Sequence, residues 1–202
     1  MSSTRLIPLA ALAALIGAAC TAKPDRDATD TTADVAPATA AAPESPPTPA
    51  AAPALNDPTI VAIFDDANTA DIETGQLATE RGSTKAVRDF GAMLARDHKA
   101  VRQQGRDLAA KLGVTPTPPA DSGSAKAHAE AIATLRSKRG AEFDRAFLDH
   151  EVKFHQDVIN AVQSTLLPAI QNAELKELVV KVAPAFEAHR VAAANLRQKL
   201  GA

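Results

Sequence analysis

The 202 residues carry 22 Lys and Arg against 24 Asp and Glu, and 3 % aromatics, all six of them Phe. The imbalance sits in the first 56 residues, with three bases and five acids, so residues 57–202 hold 19 charges of each sign. Nucleic-acid binders carry a basic excess and often stacking aromatics, so that class is excluded, and the lack of Tyr excludes tyrosyl-radical chemistry.

Residues 1–19 read as an export signal. Arg5 supplies a positive start, and Leu6 to Ile16 form an apolar run of 11 residues, too short for the ~20 that a bilayer requires. Gly17-Ala18-Ala19 then precede Cys20, the one cysteine, so no intramolecular disulfide forms. A lone Cys after small residues resembles the lipobox of bacterial lipoproteins, in which that Cys is acylated. Gly17 departs from the pattern, because an aliphatic residue usually stands there. The other reading is ordinary cleavage near Ala19 with a free thiol. Thr21 rather than Asp after the Cys is, by the same resemblance, the outer-membrane form. The expected address is thus the periplasmic face of the outer membrane, held by lipid, or else the soluble periplasm.

Residues 20–56 then form a tether. The stretch 21–56 has seven of the 14 prolines and only Val35 and Leu55 as large apolar residues. Such a segment buries too little surface to offset its ordering entropy, so a disordered spacer is expected.

From residue 57 onward the pattern is helical. Asp57-Pro58 signals a start, and the first long helix runs to about Arg81 before Gly82. Its stripe is Ile60, Ile63, Phe64, Ala67, Thr74, Leu77 and Ala78. Ser83 or Thr84 caps the second, which carries Val87, Phe90, Leu94, Val101, Leu108 and Leu112 and stops at Gly113. A Pro-rich loop and a short helix from Ser122 or Ser124 to about Lys138 follow. The third long helix carries Phe143, Phe147, Phe154, Val158 and Val162 and ends before Pro168. Asn172 caps the fourth, in which Pro184 falls on the outer face and predicts a kink. Four amphipathic helices with mostly short connections predict an all-α, antiparallel four-helix bundle with an extra short helix before the third.

Several polar residues fall on the apolar stripes. At ~100° per residue, Glu151 and His155 lie inside the third stripe, four apart on one face. His189 sits at the centre of the fourth. Asp97 takes the inward position on the second helix with His98 on its flank, and Asp66 and Glu73 edge the first. At ~1.5 Å per residue their heights allow one polar layer within the bundle. A buried carboxylate or imidazolium must pair or bind something. One explanation is a metal site built from Glu73, Asp97, His98, Glu151, His155 and His189, with Asp66 as a further candidate. Three His with carboxylates suit zinc, copper, iron or manganese. The other is a metal-free hydrogen-bond network that fixes helix register. His150 is expected half exposed, His128 solvated and Glu187 outward. No catalytic residue or reaction is legible.

The segments Asp71-Ile72-Glu73-Thr74-Gly75-Gln76-Leu77-Ala78, Met93-Leu94-Ala95-Arg96-Asp97-His98, Phe143-Asp144-Arg145-Ala146-Phe147-Leu148, Val152-Lys153-Phe154-His155 and Ala183-Pro184 before Glu187-Ala188-His189 resemble the domain-of-unknown-function 4142 family. The resemblance covers about residues 57–200. It implies an exported bacterial protein with a ferritin-like bundle, and it marks Glu73, Asp97, His98, His155 and His189 as characteristic polar positions. Phe147 stands where relatives often have Tyr, and Ala183 where they often have Leu. The family carries no activity to transfer. A lipid-anchored, metal-binding envelope protein and a metal-free structural or interaction module both remain open, the latter with an envelope protein as partner.

Overall fold

A computed structural model describes residues 55–120 and 123–201. The export signal, Cys20 and nearly all of the tether lie outside these residues. Helix α1 (Asp57–Arg81) and α2 (Lys85–Leu112) form one hairpin. After α3 (Gly123–Ser137) comes α4 (Gly140–Ala161), a π-helical segment (Val162–Leu166), the short turn α5 (Leu167–Ala169) and α6 (Ala173–Gly201). No strand occurs among the described residues, and none of their helices is long and apolar enough to cross a membrane.

Local chemistry sets the helix ends. Asn56, not Asp57, caps α1: its side chain accepts from Thr59 N at 3.0 Å. Asp57 instead accepts from Gln171 N and Asn172 N at 2.9 and 2.8 Å, fastening the start of α1 to the turn before α6. Thr84 caps α2 through Val87 N, and Gly113 closes it in the left-handed region at φ 64°. Asn172 caps α6 through Glu174 N and Leu175 N. Asp144, fully buried, accepts from Ser83 N, Ser83 Oγ and Thr84 N at 2.7, 2.7 and 3.0 Å. Burial alone would raise its carboxyl, but these hydrogen bonds prevail and hold it below the usual carboxylate value.

The third long helix runs on into Pro168 rather than stopping before it. Pro168 has no N–H, and its ring would press on the carbonyl of Ser164 in a regular helix. The chain widens there: Leu167 N bonds Val162 O, five residues back, which is the π register.

The helices pack as two hairpins, α1 on α2 and α4 on α6. At one end Leu77, Val87, Phe90, Leu94, Phe143, Phe147, Leu148 and Ala193 form an apolar cluster, which Leu135 of α3 joins. At the other end Ile60, Val61, Ala109, Ile170, Leu175 and Val179 form a second. Each fully buried Leu or Phe contributes about 1.5–3 kcal/mol relative to exposure. Apart from Asp144, which lies within the first cluster and holds the α1–α2 turn, the buried polar residues of the long helices fall toward the middle of the bundle: Asn68, Asp71 and Thr74, His98, Glu151 and His155, and His189.

Helices α1 and α2 meet backbone to backbone. A Cβ on Gly75 would lie 2.6 Å from Gly91 O and 3.0 Å from Ala95 N. Gly75→Ala is therefore expected to push the helices apart. The cost is roughly 1–3 kcal/mol for overpacking, against a gain of about 1 kcal/mol in helix propensity. A fall in the denaturant midpoint at unchanged slope checks this.

Candidate metal centre

Three histidines from three helices converge: His98 of α2, His155 of α4 and His189 of α6. They are 1 %, 0 % and 6 % exposed, and a ring nitrogen of each lies within 4.8 Å of the others. Phe186 stands edge-on to the His98 ring, with centroids 5.2 Å apart, and tilted against His155 at 5.9 Å.

Hydrogen bonds fix which nitrogen each ring offers. The Asn68 amide donates from Nδ2 to Phe64 O at 2.7 Å, so its Oδ1 faces His98. His98 Nδ1–H donates to that oxygen at 2.9 Å, leaving Nε2 as the lone pair. His189 Nε2–H donates to Asp97 Oδ2 at 3.3 Å, leaving Nδ1. His155 Nδ1–H donates to its own helix at Glu151 O, 2.9 Å away, leaving Nε2. His98 Nε2 and His189 Nδ1 then face each other at 3.2 Å. His155 Nε2 is buried without a hydrogen-bond partner. Two facing lone pairs require a cation between them or a proton on one. Metal-bound histidines show this pattern, each donating its second N–H to a carbonyl or carboxylate. Two nitrogens each ~2.0–2.1 Å from one tetrahedral or octahedral ion are about 2.9–3.4 Å apart, and 3.2 Å fits.

Burial and the neighbouring imidazoles His155 and His189 push His98 down to about 2. Burial and His155 also lower His189, with Asp97 opposing. Both rings are therefore neutral at pH 7, the state that coordinates.

Two carboxylates complete the cluster. Asp71 of α1 is 1 % exposed and Glu151 of α4 is 0 % exposed. Asp71 Oδ1 lies 3.9 Å from His155 Nε2 and Oδ2 lies 3.4 Å from His98 Nδ1. Glu151 Oε2 is 3.4 Å from His155 Nδ1. All four carboxylate oxygens are buried without hydrogen-bond partners. Burial and the adjacent Glu151 raise the Asp71 carboxyl well above its ordinary value.

The sequence pattern of the family described as Domain of unknown function (DUF4142) matches residues 42–196. The chain belongs to this family. No curated protein matches it. The solved structure of CopM in the Cu(II)-bound form is similar, with a TM-score of 0.58 and 14 % identity, covering 72 % of this chain and 98 % of that one. At that identity the likeness shows the helical fold alone.

In this DUF4142 chain the structure brings His98, Glu151, His155 and His189 together, with Asp97 at the rim. The places of Asp97 and His98 are exchanged relative to the expected ones. His98 points inward, while Asp97 keeps 34 % of its side chain exposed and pairs with Arg96 at 2.8 Å. Glu73 does not join the cluster. It is exposed on α1 and bonds His128 Nε2 of α3 at 2.8 Å, so His128 is partnered rather than freely solvated. Asp66 is exposed as well. Asn68 and Asp71 take the places expected for Glu73 and Asp66. His150 is half-buried, and Glu187 and Pro184 face outward, as expected.

The neutral rings have a pH consequence in metal-free protein. A histidine whose folded value lies below its unfolded ~6.5 contributes stability above that pH and loses it as the pH falls toward the folded value. His98 and His189 both act in this sense. Asp71, raised by folding, acts in the opposite sense above its unfolded value. The histidine share is read by difference: between pH 7.5 and pH 5.5 chelated wild type should lose more Tm, or gain less, than a variant lacking one of these rings. The slope is at most about 1.4 kcal/mol per pH unit per proton. His98→Gln and His189→Gln, each melted beside wild type at the two pH values, are the variants that check this.

Proposed function

We propose that this chain is an exported envelope protein, anchored through lipid on Cys20, whose ferritin-like bundle holds a transition-metal ion between its helices for metal handling. The observation that carries the reading is the convergence of three histidine lone pairs, each ring oriented by a hydrogen bond on its far side. His98, His155 and His189 would be the nitrogen ligands, and Asn68, Asp97 and the Glu151 carbonyl would orient them. The similar fold of CopM, whose structure contains Cu(II), supports copper as one candidate. Zinc, iron and manganese suit the same nitrogen and oxygen donors. The ion would supply a Lewis-acidic or redox-active centre inside a dry core.

The test is elemental analysis of the full chain produced in the periplasm and purified without chelator, then re-equilibrated with each ion. Near-stoichiometric metal and a higher Tm than the chelated protein are expected. No uptake of any ion, with superimposable melts, overturns the reading in favour of a metal-free network. Radiolabelled palmitate on wild type but not on Cys20→Ala tests the anchor.

A further inference from the structure

We propose that the centre takes one divalent cation per chain, and that the buried pair Asp71 and Glu151 sets its preference for a divalent over a monovalent ion. This rests on the metal-binding reading above and names the class of ion. Asp71 and Glu151 are essentially inaccessible, from two different helices, and all four of their oxygens lack hydrogen-bond partners. Together with His155 they present ligand atoms within 4.8 Å of one another. Among the described residues no Lys or Arg is buried, so no basic side chain shares this interior to neutralise them. The third carboxylate, Asp97, already has Arg96 at 2.8 Å and stands at the rim.

Charge matching then selects the ion. Two carboxylates, both ionised once the cation displaces any proton they share, and neutral imidazoles around one divalent cation sum to zero. A monovalent cation leaves either one negative charge in a dry interior or a proton on the pair that takes one carboxylate out of the site, and two divalent cations leave two positive charges. Either residue of charge is costly where water does not reach. The donor atoms point the same way. Cu(I) favours soft thiolate and thioether ligands. Among the described residues the one sulfur-bearing side chain is Met93, packed against the apolar cluster at the α1–α2 turn. The centre offers imidazole nitrogen and carboxylate oxygen only.

The full chain is titrated separately with Zn(II) and, without oxygen, with Cu(I) buffered by a chromophoric chelator. Wild type is compared with the double variant Asp71→Asn, Glu151→Gln. One Zn(II) per wild-type chain is expected. In the double variant the Zn(II) affinity should fall at least 100-fold and the Cu(I) affinity less than 10-fold, because the three imidazoles remain while two charges are gone. If the double variant does not fold by circular dichroism, Asp71→Asn alone carries the same comparison, with at least a 10-fold larger loss for Zn(II) than for Cu(I). Two Zn(II) per chain, or equal losses for both ions, would overturn this inference and leave metal binding itself intact. Wild type that binds neither Zn(II), Cu(II) nor Cu(I) overturns both.

Discussion

A chain with His98, His155 and His189 all changed to Ala is expected to melt at one temperature whether or not metal is present. Wild type should not. Metal bound only by the folded state adds RT ln(1 + [L]/Kd), about 2.7 kcal/mol at 100 times Kd. For a domain of roughly 150 residues each kcal/mol moves Tm by ~2–4 °C, so wild type should gain about 5–11 °C. The variant lacks all three proposed nitrogen ligands, and its gain should vanish. Removing two fully buried rings also opens cavities, so the variant should be less stable in absolute terms. For that reason the readout is the difference between metal-loaded and chelated samples of each protein. A purely structural network predicts the same absolute loss but no metal-dependent gain in either protein. Asp97→Asn provides a graded control. It keeps the shape of the His189 partner and removes its charge, which should weaken binding roughly 10–100-fold without abolishing it.

The helices were largely legible because large apolar residues, Gly and Asn mark them plainly. Arg81 before Gly82, Leu112 before Gly113 and the Asn172 cap lie where the pattern put them. The π segment was not legible, since it arises from how the chain accommodates Pro168 without leaving the helix. The polar cluster was legible in part, and the errors share one physical cause. The stripe on α2 was centred on Leu94, Val101 and Leu108, the bulky residues. The buried seam includes Gly91, Ala95, His98, Gly105 and Ala109, because α1 comes in over glycine. That rotation exchanges Asp97 and His98, which are only ~100° apart. The same bias hid Asn68 and Asp71 on α1, beside Thr74, Gly75 and Ala78. Asp71 stands four after Ala67 and three before Thr74, so it was already on the expected stripe. A closely packed helix pair reads its register from small residues, which hydrophobic weighting undercounts.

Asp71→Asn should raise the stability of the metal-free protein at pH 7 while lowering its affinity for metal. On the proposed metal-binding reading the two effects have opposite signs, because the carboxylate would serve only the bound state. Without metal, both Asp71 oxygens are buried without a hydrogen-bond partner, and Glu151 lies within 4.8 Å. Burial and Glu151 raise its carboxyl well above the unfolded value. A carboxyl raised by folding destabilises the fold increasingly as the pH climbs above its unfolded ~3.9, since the folded chain must hold a proton that the unfolded chain releases. The amide holds no such proton. It keeps the shape, and its N–H groups can donate to Glu151. A gain of about 1–3 kcal/mol is the scale of satisfying one buried polar group. The gain should be largest at pH 7–8 and should shrink as the pH falls toward and below ~3.9, where the wild-type carboxyl becomes protonated in both states. Denaturant melts of chelated wild type and variant at pH 4.5 and 7.5 check the sign. A variant less stable than wild type at both values, with metal affinity unchanged, would mean that Asp71 is a structural hydrogen-bond partner. A more stable variant that binds metal less well marks Asp71 as a residue held at a cost to the empty fold.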